Sequence, residues 1–542
     1  MNGLFQLMAI ALICFGCASP IRPDSRGETV DYIQVSQNSH QRLADEMGTT
    51  RTRHAEGYRT SDDYLKLADE MEATLRQDIL GAWFPRSIDK VNGGFHSNFT
   101  RDWKPAASDG KFSVFQGRMT WVAARIIIAR PDLKDRFLPI IDHGMKYLSE
   151  VLWDKQHGGF FWGLDDTGKI APQFTDGKHL YGMSFGLYGA AAAYQATKDP
   201  KALELAQKAF RWMDEHAHDA KNGGYFEWLT RDGKVVRAKP GSARIDAVPL
   251  AGFPIGYKSM NTHIHLLESF TQLYEVWKDE TLRRRTAELL EIVRDRICVE
   301  PGVMNIYFTT DWRAIPDHDS YGHDVETAYL MLEAEEVLGQ RPNPKTEAMA
   351  KLLVDHALCY GWDGNYGGFY RDGITIGKPE DLRKEWWVQF EGLNALLLMH
   401  EKYGKQTDVY LNAFQKQWRF IKDRQIDHEF GGVYDTVERD GTVRDYTKAR
   451  IWKEAYHESR ALLNVTARLS RLARDASASE RGQLHEERVP GAAASVATAQ
   501  AQDSQGILFS LPVEAVVKVP SFDWITEVIV RLPDEFCGSR LQ

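Results

Sequence analysis

Three histidines stand in short polar clusters that each precede a strongly apolar run. "YGHDVE" (321–326) holds His323 and Glu326 three residues apart, a spacing that puts both on one face of a helix. "KSMNTHIHLLE" holds Asn261 and His265, "IWKEAYHESR" holds Trp452 and His457, and "FQGRMTW" holds Arg118. A general base works best with a pKa near the working pH, which favours histidine over carboxylate. Nothing here has the spacing of a metal site, so the chemistry indicated is proton transfer. Two bases on opposite faces of one carbon can take a proton from one side and return one on the other. That inverts a stereocentre if the proton is acidic. In a sugar, the carbon next to the open-chain aldehyde qualifies, because its carbanion is an enediolate. Arg118 would steady the developing oxyanion. Trp387 and Trp452 offer faces for sugar rings.

Such groups act together only if the fold aims them at one point. Glycine pairs followed by an apolar residue begin at Gly93, Gly158, Gly223, Gly367 and Gly431, and a degenerate copy at Pro301-Gly302 completes six. The intervals are 65, 65, 79, 65 and 64 residues, and the longest one locates an insertion in "RAKPGSARIDAVPLAGFP". Several copies continue as hairpins with Asp-Gly or Thr-Gly turns, as in "GGFFWGLDDTGK". Between hairpins, segments such as "PKALELAQKAFRWMDEHA" are amphipathic at the helical period. Segments after the hairpins, such as "MSFGLYGAAAAYQA", are apolar on most faces and so must be buried on most faces. Each unit is therefore an outer helix, a hairpin and an inner helix. Six units with no capping repeat predict an all-α fold, an (α/α)6 barrel with short β-hairpins at one end. In every unit the polar cluster falls at the start of the inner helix. One pit is thus expected to be lined by Arg118, Tyr181, Asn261, His265, His323, Glu326, Trp387, Gln389, Trp452 and His457.

The chain has 542 residues, of which 43% are hydrophobic, enough for a large core, and a net charge of −9. With no basic block, nucleic acid is excluded as a partner. Residues 1–17 resemble a signal or lipoprotein leader. Its apolar stretch is too short to span a membrane, and Gly16-Cys17 is followed by Ala-Ser, which makes Cys17 a candidate lipid anchor. An exported chain, periplasmic or membrane-anchored, is expected, with a cytoplasmic protein as the alternative. Of five cysteines, Cys14 and Cys17 belong to the leader; Cys298, Cys359 and Cys537 form no disulfide or metal pattern. Residues 18–60 form a polar tether and 61–474 the barrel. Residues 475–542 are a low-complexity linker, expected to be disordered, and an extension of unassigned role.

"KSMNTHIHLLES", "SYGHDVE", "KEWWVQFEG" and "WKEAYHESR", with the hairpin repeat, resemble the cellobiose 2-epimerase branch of the N-acylglucosamine 2-epimerase superfamily over residues 62–472. The resemblance implies an (α/α)6 barrel, and the chain is expected to act as a monomer. It would epimerise glucose or mannose at C2 of the reducing end of β-1,4 disaccharides (cellobiose, mannobiose or lactose type), without metal or other cofactor. It implies that His323 and His457 exchange protons at C2, that His265 assists ring opening, and that Arg118 holds the reacting oxygens. Tyr181, Asn261, Glu326, Trp387 and Trp452 would position the sugar, with Trp386 the other candidate for stacking. Gln116-Gly117-Arg118 replaces the family's usual Asn-Ala-Arg, and Ala455 and Glu458 stand where Pro and Asn are common. Glu458 is expected to raise the pKa of His457. The alternatives are an N-acylglucosamine 2-epimerase or a mannose-type aldose–ketose isomerase on a similar histidine pair. An inverting glycoside hydrolase, from another class, would need two carboxylates, with Glu326 the strongest in phase and Glu385, Glu391 and Glu458 weaker.

Overall fold

Polar caps open the outer helices where the periodic segments begin. The computed structural model describes residues 60–238, 247–248, 252–339, 341–374 and 378–487, with side chains to 478. Thr60 and Asp63 form a reciprocal capping box at the start of α1 (Ser61–Thr74), which runs on through a wide π-type turn and a short helix, Gly81–Arg86. The helices that follow are α2 (Ser113–Ala129), α3 (Lys134–Tyr147), α4 (Leu180–Thr197), α5 (Pro200–Ala217), α6 (Met260–Val276), α7 (Glu280–Ile292), α8 (Tyr321–Val337), α9 (Pro344–Tyr360), α10 (Trp386–Tyr403), α11 (Val409–Phe420) and α12 (Tyr456–Glu487). Odd-numbered helices are the outer members and even-numbered ones the inner. Asp199 and Asn343 cap α5 and α9 just before a proline at the first helical position.

The inner helices are buried nearly all round, as their composition requires. Leu180 to Ala193 of α4 are all buried. Small residues let the inner helices touch: a Cβ on Gly117 would lie 2.3 Å from the Phe185 carbonyl oxygen, and one on Gly189 would lie 2.6 Å from that of Gly117.

The glycine pairs are turn residues in left-handed conformation, with φ of 81° and 66° at Gly93 and Gly94. Four residues before each pair, an aspartate holds the turn, and a buried lysine pins that aspartate. Lys111 donates to Asp89 (2.6 Å), Lys178 to Asp154 (3.2 Å), Lys258 to Asp219 (2.9 Å), Lys384 to Asp363 (3.1 Å) and Lys448 to Asp427 (3.0 Å). Each of these lysines also donates to the carbonyl of the first glycine in its own pair. The degenerate fourth copy lacks the pair: Cys298 stands at the aspartate position and Asp319 at the lysine position.

Hairpin segments do more than close each unit. The two residues before an inner helix pair with the hairpin of the next unit: Lys111–Phe112 with Gly163–Leu164, Lys178–His179 with Trp228–Leu229, and Lys258–Ser259 with Tyr307–Phe308. Asp319–Ser320 pair with Asp372–Gly373, and Lys384–Glu385 with Thr436–Val437. A bridge from Ala449 back to Phe99 joins the last unit to the first. Trp121 of α2 meets Tyr456 of α12 edge-on at 5.0 Å, and Trp418 of α11 donates to Glu70 of α1 at 2.9 Å. The ring is closed, and the fold is the (α/α)6 barrel.

One boundary differs from expectation. α12 persists to Glu487, through the first residues of the segment read as a linker, because "RDASASERGQLHEE" is rich in helix formers and carries no proline. The leader with Cys17, most of the tether, most of the insertion before α6 and the C-terminal extension lie outside the described residues.

Candidate active site

His323 is the third residue of α8 and His457 the second of α12, both at the hairpin end of the barrel. Each has its Nδ1 engaged. Nδ1 of His457 lies 2.5 Å from Oε1 of Glu391, and Nδ1 of His323 lies 2.8 Å from the Ser320 hydroxyl. In both rings, Nε2 is the nitrogen left to exchange a proton with a ligand. The two rings flank Trp387, whose centroid is 4.7 Å from that of His323 and 5.7 Å from that of His457. Trp387 is itself fixed by donating Nε1–H to Glu385 at 2.8 Å.

A second wall is built from α2, α4 and α6. Arg118 lies between the rings of Phe185 and Tyr456, 4.1 and 4.7 Å from their centroids, and donates to Glu454 at 2.9 Å. Its other terminal nitrogen is 3.4 Å from the Tyr181 hydroxyl. Tyr181 packs edge-on against His265 at 5.2 Å and tilts toward Trp452 at 6.3 Å. Asn261, half-buried one turn before His265, has a side-chain oxygen with no hydrogen-bond partner in the protein, which suits a ligand hydroxyl.

Beneath these groups lies Arg460, which spacing did not single out. Its Nη1 donates to Glu268 and, at 2.5 Å, to the Tyr456 hydroxyl; its Nη2 donates to Glu326 and, at 2.6 Å, to Glu391. One guanidinium thus ties three buried carboxylates from α6, α8 and α10. Glu268 also accepts from Nδ1 of His265 at 2.9 Å. Burial opposes ionisation of Glu268, yet Arg460 and His265 hold it well below the usual carboxylate range. Burial pushes Glu326 and Glu391 up.

Several expected placements are corrected by this geometry. Glu326, grouped with the sugar-positioning residues, is engaged by Arg460, and His323 is held by Ser320. Glu458 is not the partner of His457. It lies 3.7 Å from Lys453, and burial lifts its pKa to about 7. Gln389 is not a ligand group, because its amide is spent on the backbone of Phe369, accepting at 2.9 Å and donating at 2.7 Å. Gln116 holds Phe95 the same way, which gives the Gln of Gln116-Gly117-Arg118 a structural purpose. Trp386 is capped by Lys453 and Arg450, 4.8 and 5.6 Å from its ring, whereas Trp387 lies against the rings of His323 and His457.

Burial drives both His323 and His457 well below the ordinary histidine value of 6.5, and nearby positive charge adds to this, Arg371 among its sources for His323 and Arg118 for His457. A base of lowered pKa stays neutral as pH falls. The acid limb of kcat/KM is therefore expected below pH 6.5, with activity lost only as pH drops through the lowered values. A pH–rate profile in which the limb lies above 6.5 would contradict that assignment.

Residues 93–461 match the family model described as N-acylglucosamine 2-epimerase (GlcNAc 2-epimerase). A cellobiose 2-epimerase of Bacteroides fragilis is 30% identical over 412 residues, covering 74% of this chain and 99% of the relative. A D-mannose isomerase of Marinomonas mediterranea is 22% identical over 413 residues, covering 73% and 96%. Among solved structures, the cellobiose 2-epimerase of Bacillus thermoamylovorans superposes with a TM-score of 0.66 at 26% identity, covering 74% of this chain and 99% of that one. This chain is a carbohydrate epimerase or isomerase, and it belongs to the cellobiose 2-epimerase branch of the N-acylglucosamine 2-epimerase family.

Proposed function

We propose that the protein interconverts glucose and mannose at the reducing end of β-1,4-linked disaccharides by moving a proton at C2. The observation that carries this reading is the pair of imidazoles flanking Trp387, each anchored through Nδ1. His265, held by Glu268, assists opening of the sugar ring. One base takes the C2 proton of the open-chain aldose, and the C2–H electron pair becomes the enediolate. Arg118 and Tyr181 bear on the oxygen that gains charge. The other histidine returns a proton to the opposite face.

That return needs a proton on a histidine whose own pKa is low. Glu391 supplies it. Burial raises the Glu391 carboxyl, against the opposing pull of Arg460 and Tyr329, and its 2.5 Å contact with Nδ1 of His457 is short enough for a proton to pass between them. As Nε2 of His457 gives up its proton to carbon, Nδ1 takes one from Glu391, so His457 stays neutral through the step. In the reverse direction the pair recovers its proton from C2. His323, whose Nδ1–H is accepted by the Ser320 hydroxyl, becomes an imidazolium on taking the C2 proton at Nε2 and gives that proton back when the direction reverses.

Incubation with cellobiose, mannobiose, N-acetylglucosamine and mannose in deuterated water, read by NMR, tests the reading. The expected products are C2-epimeric disaccharides carrying one deuterium at C2, formed without added cofactor. A ketose product would instead mark an aldose–ketose isomerase, and turnover of N-acetylglucosamine alone would mark the N-acyl sugar branch.

A further inference from the structure

The fourth unit breaks the rule that the other five obey. Five units place a lysine just before the inner helix to neutralise the turn aspartate. Here that place is taken by Asp319, and the fourth residue of the inner helix is Asp324. At that helix position α2 and α10 carry the glutamines that clamp the turn, and α6 carries His263, which accepts from the Tyr225 amide at 3.1 Å. The fourth unit has thus exchanged a cation and a neutral clamp for two carboxylates.

Both carboxylates are buried, Asp319 at 1% and Asp324 at 0% exposure; they face each other, with the Ser320 backbone beside Asp319, and among the described residues no side-chain cation lies within hydrogen-bond geometry of either. His356 of α9 faces them at 3% exposure, with both ring nitrogens unpartnered. Nδ1 of His356 is 3.5 Å from Asp319 and 3.8 Å from Asp324, and one donor atom from each of the three residues lies within 4.8 Å of the others. Neighbouring cations are committed elsewhere: His318 pairs with Asp317 at 2.9 Å, and Arg371 with Asp372 and Glu385 at 3.1 and 3.0 Å. Leaving such groups unpaired is costly, and a charge with bonds to all three removes the cost.

We propose that Asp319, Asp324 and His356 bind a divalent transition ion of the zinc or manganese kind, which takes the structural place of the missing lysine. Two carboxylate oxygens and one imidazole suit such an ion and not calcium, which takes oxygen ligands alone. Bonds of about 2 Å require only small side-chain rotations to draw the donors together. The ion would join the start of α8 to α9. It would also fix the strand residue beside Ser320, whose hydroxyl holds His323. The site is apart from the reacting groups, and its role is to position them.

The test uses the full chain, unfolded in chelator and refolded with Zn²⁺, Mn²⁺ or Ca²⁺ singly. Metal content is then measured by mass spectrometry and Tm by calorimetry. One zinc or manganese per chain is expected, with a Tm several degrees above the chelated protein. Asp319→Lys restores the repeat's own lysine beside Asp324. It should fold, bind no ion and show a Tm indifferent to metal. His356→Gln offers the same readout if that variant fails to fold. A wild-type chain that refolds without stoichiometric zinc or manganese overturns the proposal and leaves a proton shared between the aspartates. So does retention by calcium alone, or undiminished binding in both variants.

Discussion

Replacing His457 or His323 with alanine is expected to lower kcat by about 10³-fold or more, within the range that general acid–base groups contribute. The loss in itself would not separate a base from a structural residue, but isotope exchange does. With one histidine gone, the other still meets the C2 proton on its own face. It removes and returns that proton on the same side, so one epimer exchanges its C2 hydrogen with deuterated water and is recovered unchanged. The opposite epimer stays protonated. The two variants should therefore wash out opposite epimers, and neither should epimerise. Equal washout of both epimers in either variant, or substantial residual epimerisation, would end the two-base assignment.

Arg460→Met is expected to destabilise the protein by about 3–5 kcal/mol, the usual cost of removing one partner from a buried charge cluster. Methionine fills much of the volume, so the loss is electrostatic. Glu268, Glu326 and Glu391 would face one another with no cation among them. The pH dependence gives the cause away. Without Arg460, Glu326 and Glu391 have folded pKa values further above the ordinary 4.5 and Glu268 loses the cation that holds it low, so the folded variant binds more protons than folded wild type. Its stability deficit relative to wild type should then widen as pH rises above 4.5 and shrink as pH falls toward it. Adding Glu326→Gln should recover part of the loss. Thermal unfolding across pH checks both expectations; a deficit independent of pH would mean that Arg460 serves through packing alone.

The barrel was legible because its signals are periodic. Glycine pairs need left-handed backbone, amphipathic stretches need one wet face, and apolar stretches need none. Counting from Gly93 to Gly431 was enough to lay out six units. The ring's closure followed from the lack of capping repeats, while the Ala449–Phe99 bridge that makes it joins residues far apart in sequence and carries no local mark. Most of the candidate site was legible for the same periodic reason: His265, His323, His457 and Arg118 share a phase. Partner choice was not. His-x-x-Glu occurs at 265–268 and at 323–326, and only the first forms a pair. Spacing shows what can meet along one helix. Arg460 decides the outcome from another helix, by claiming Glu326. Gln389 misleads for a related reason: it has the right phase, but the hairpin backbone competes for its amide and wins.

The pairing of each unit with the hairpin of the next, completed by Ala449 and Phe99, has a consequence for how the molecule comes apart. An open stack of repeats has two ends, and it can fray from either one repeat at a time. A circle offers no such starting point. Losing any one unit breaks two seams and opens the pit to water, so partial unfolding gains little entropy for a large loss of contact. The barrel's repeats are thereby bound to a common fate, and a sugar site shared among six helices persists only while all six remain.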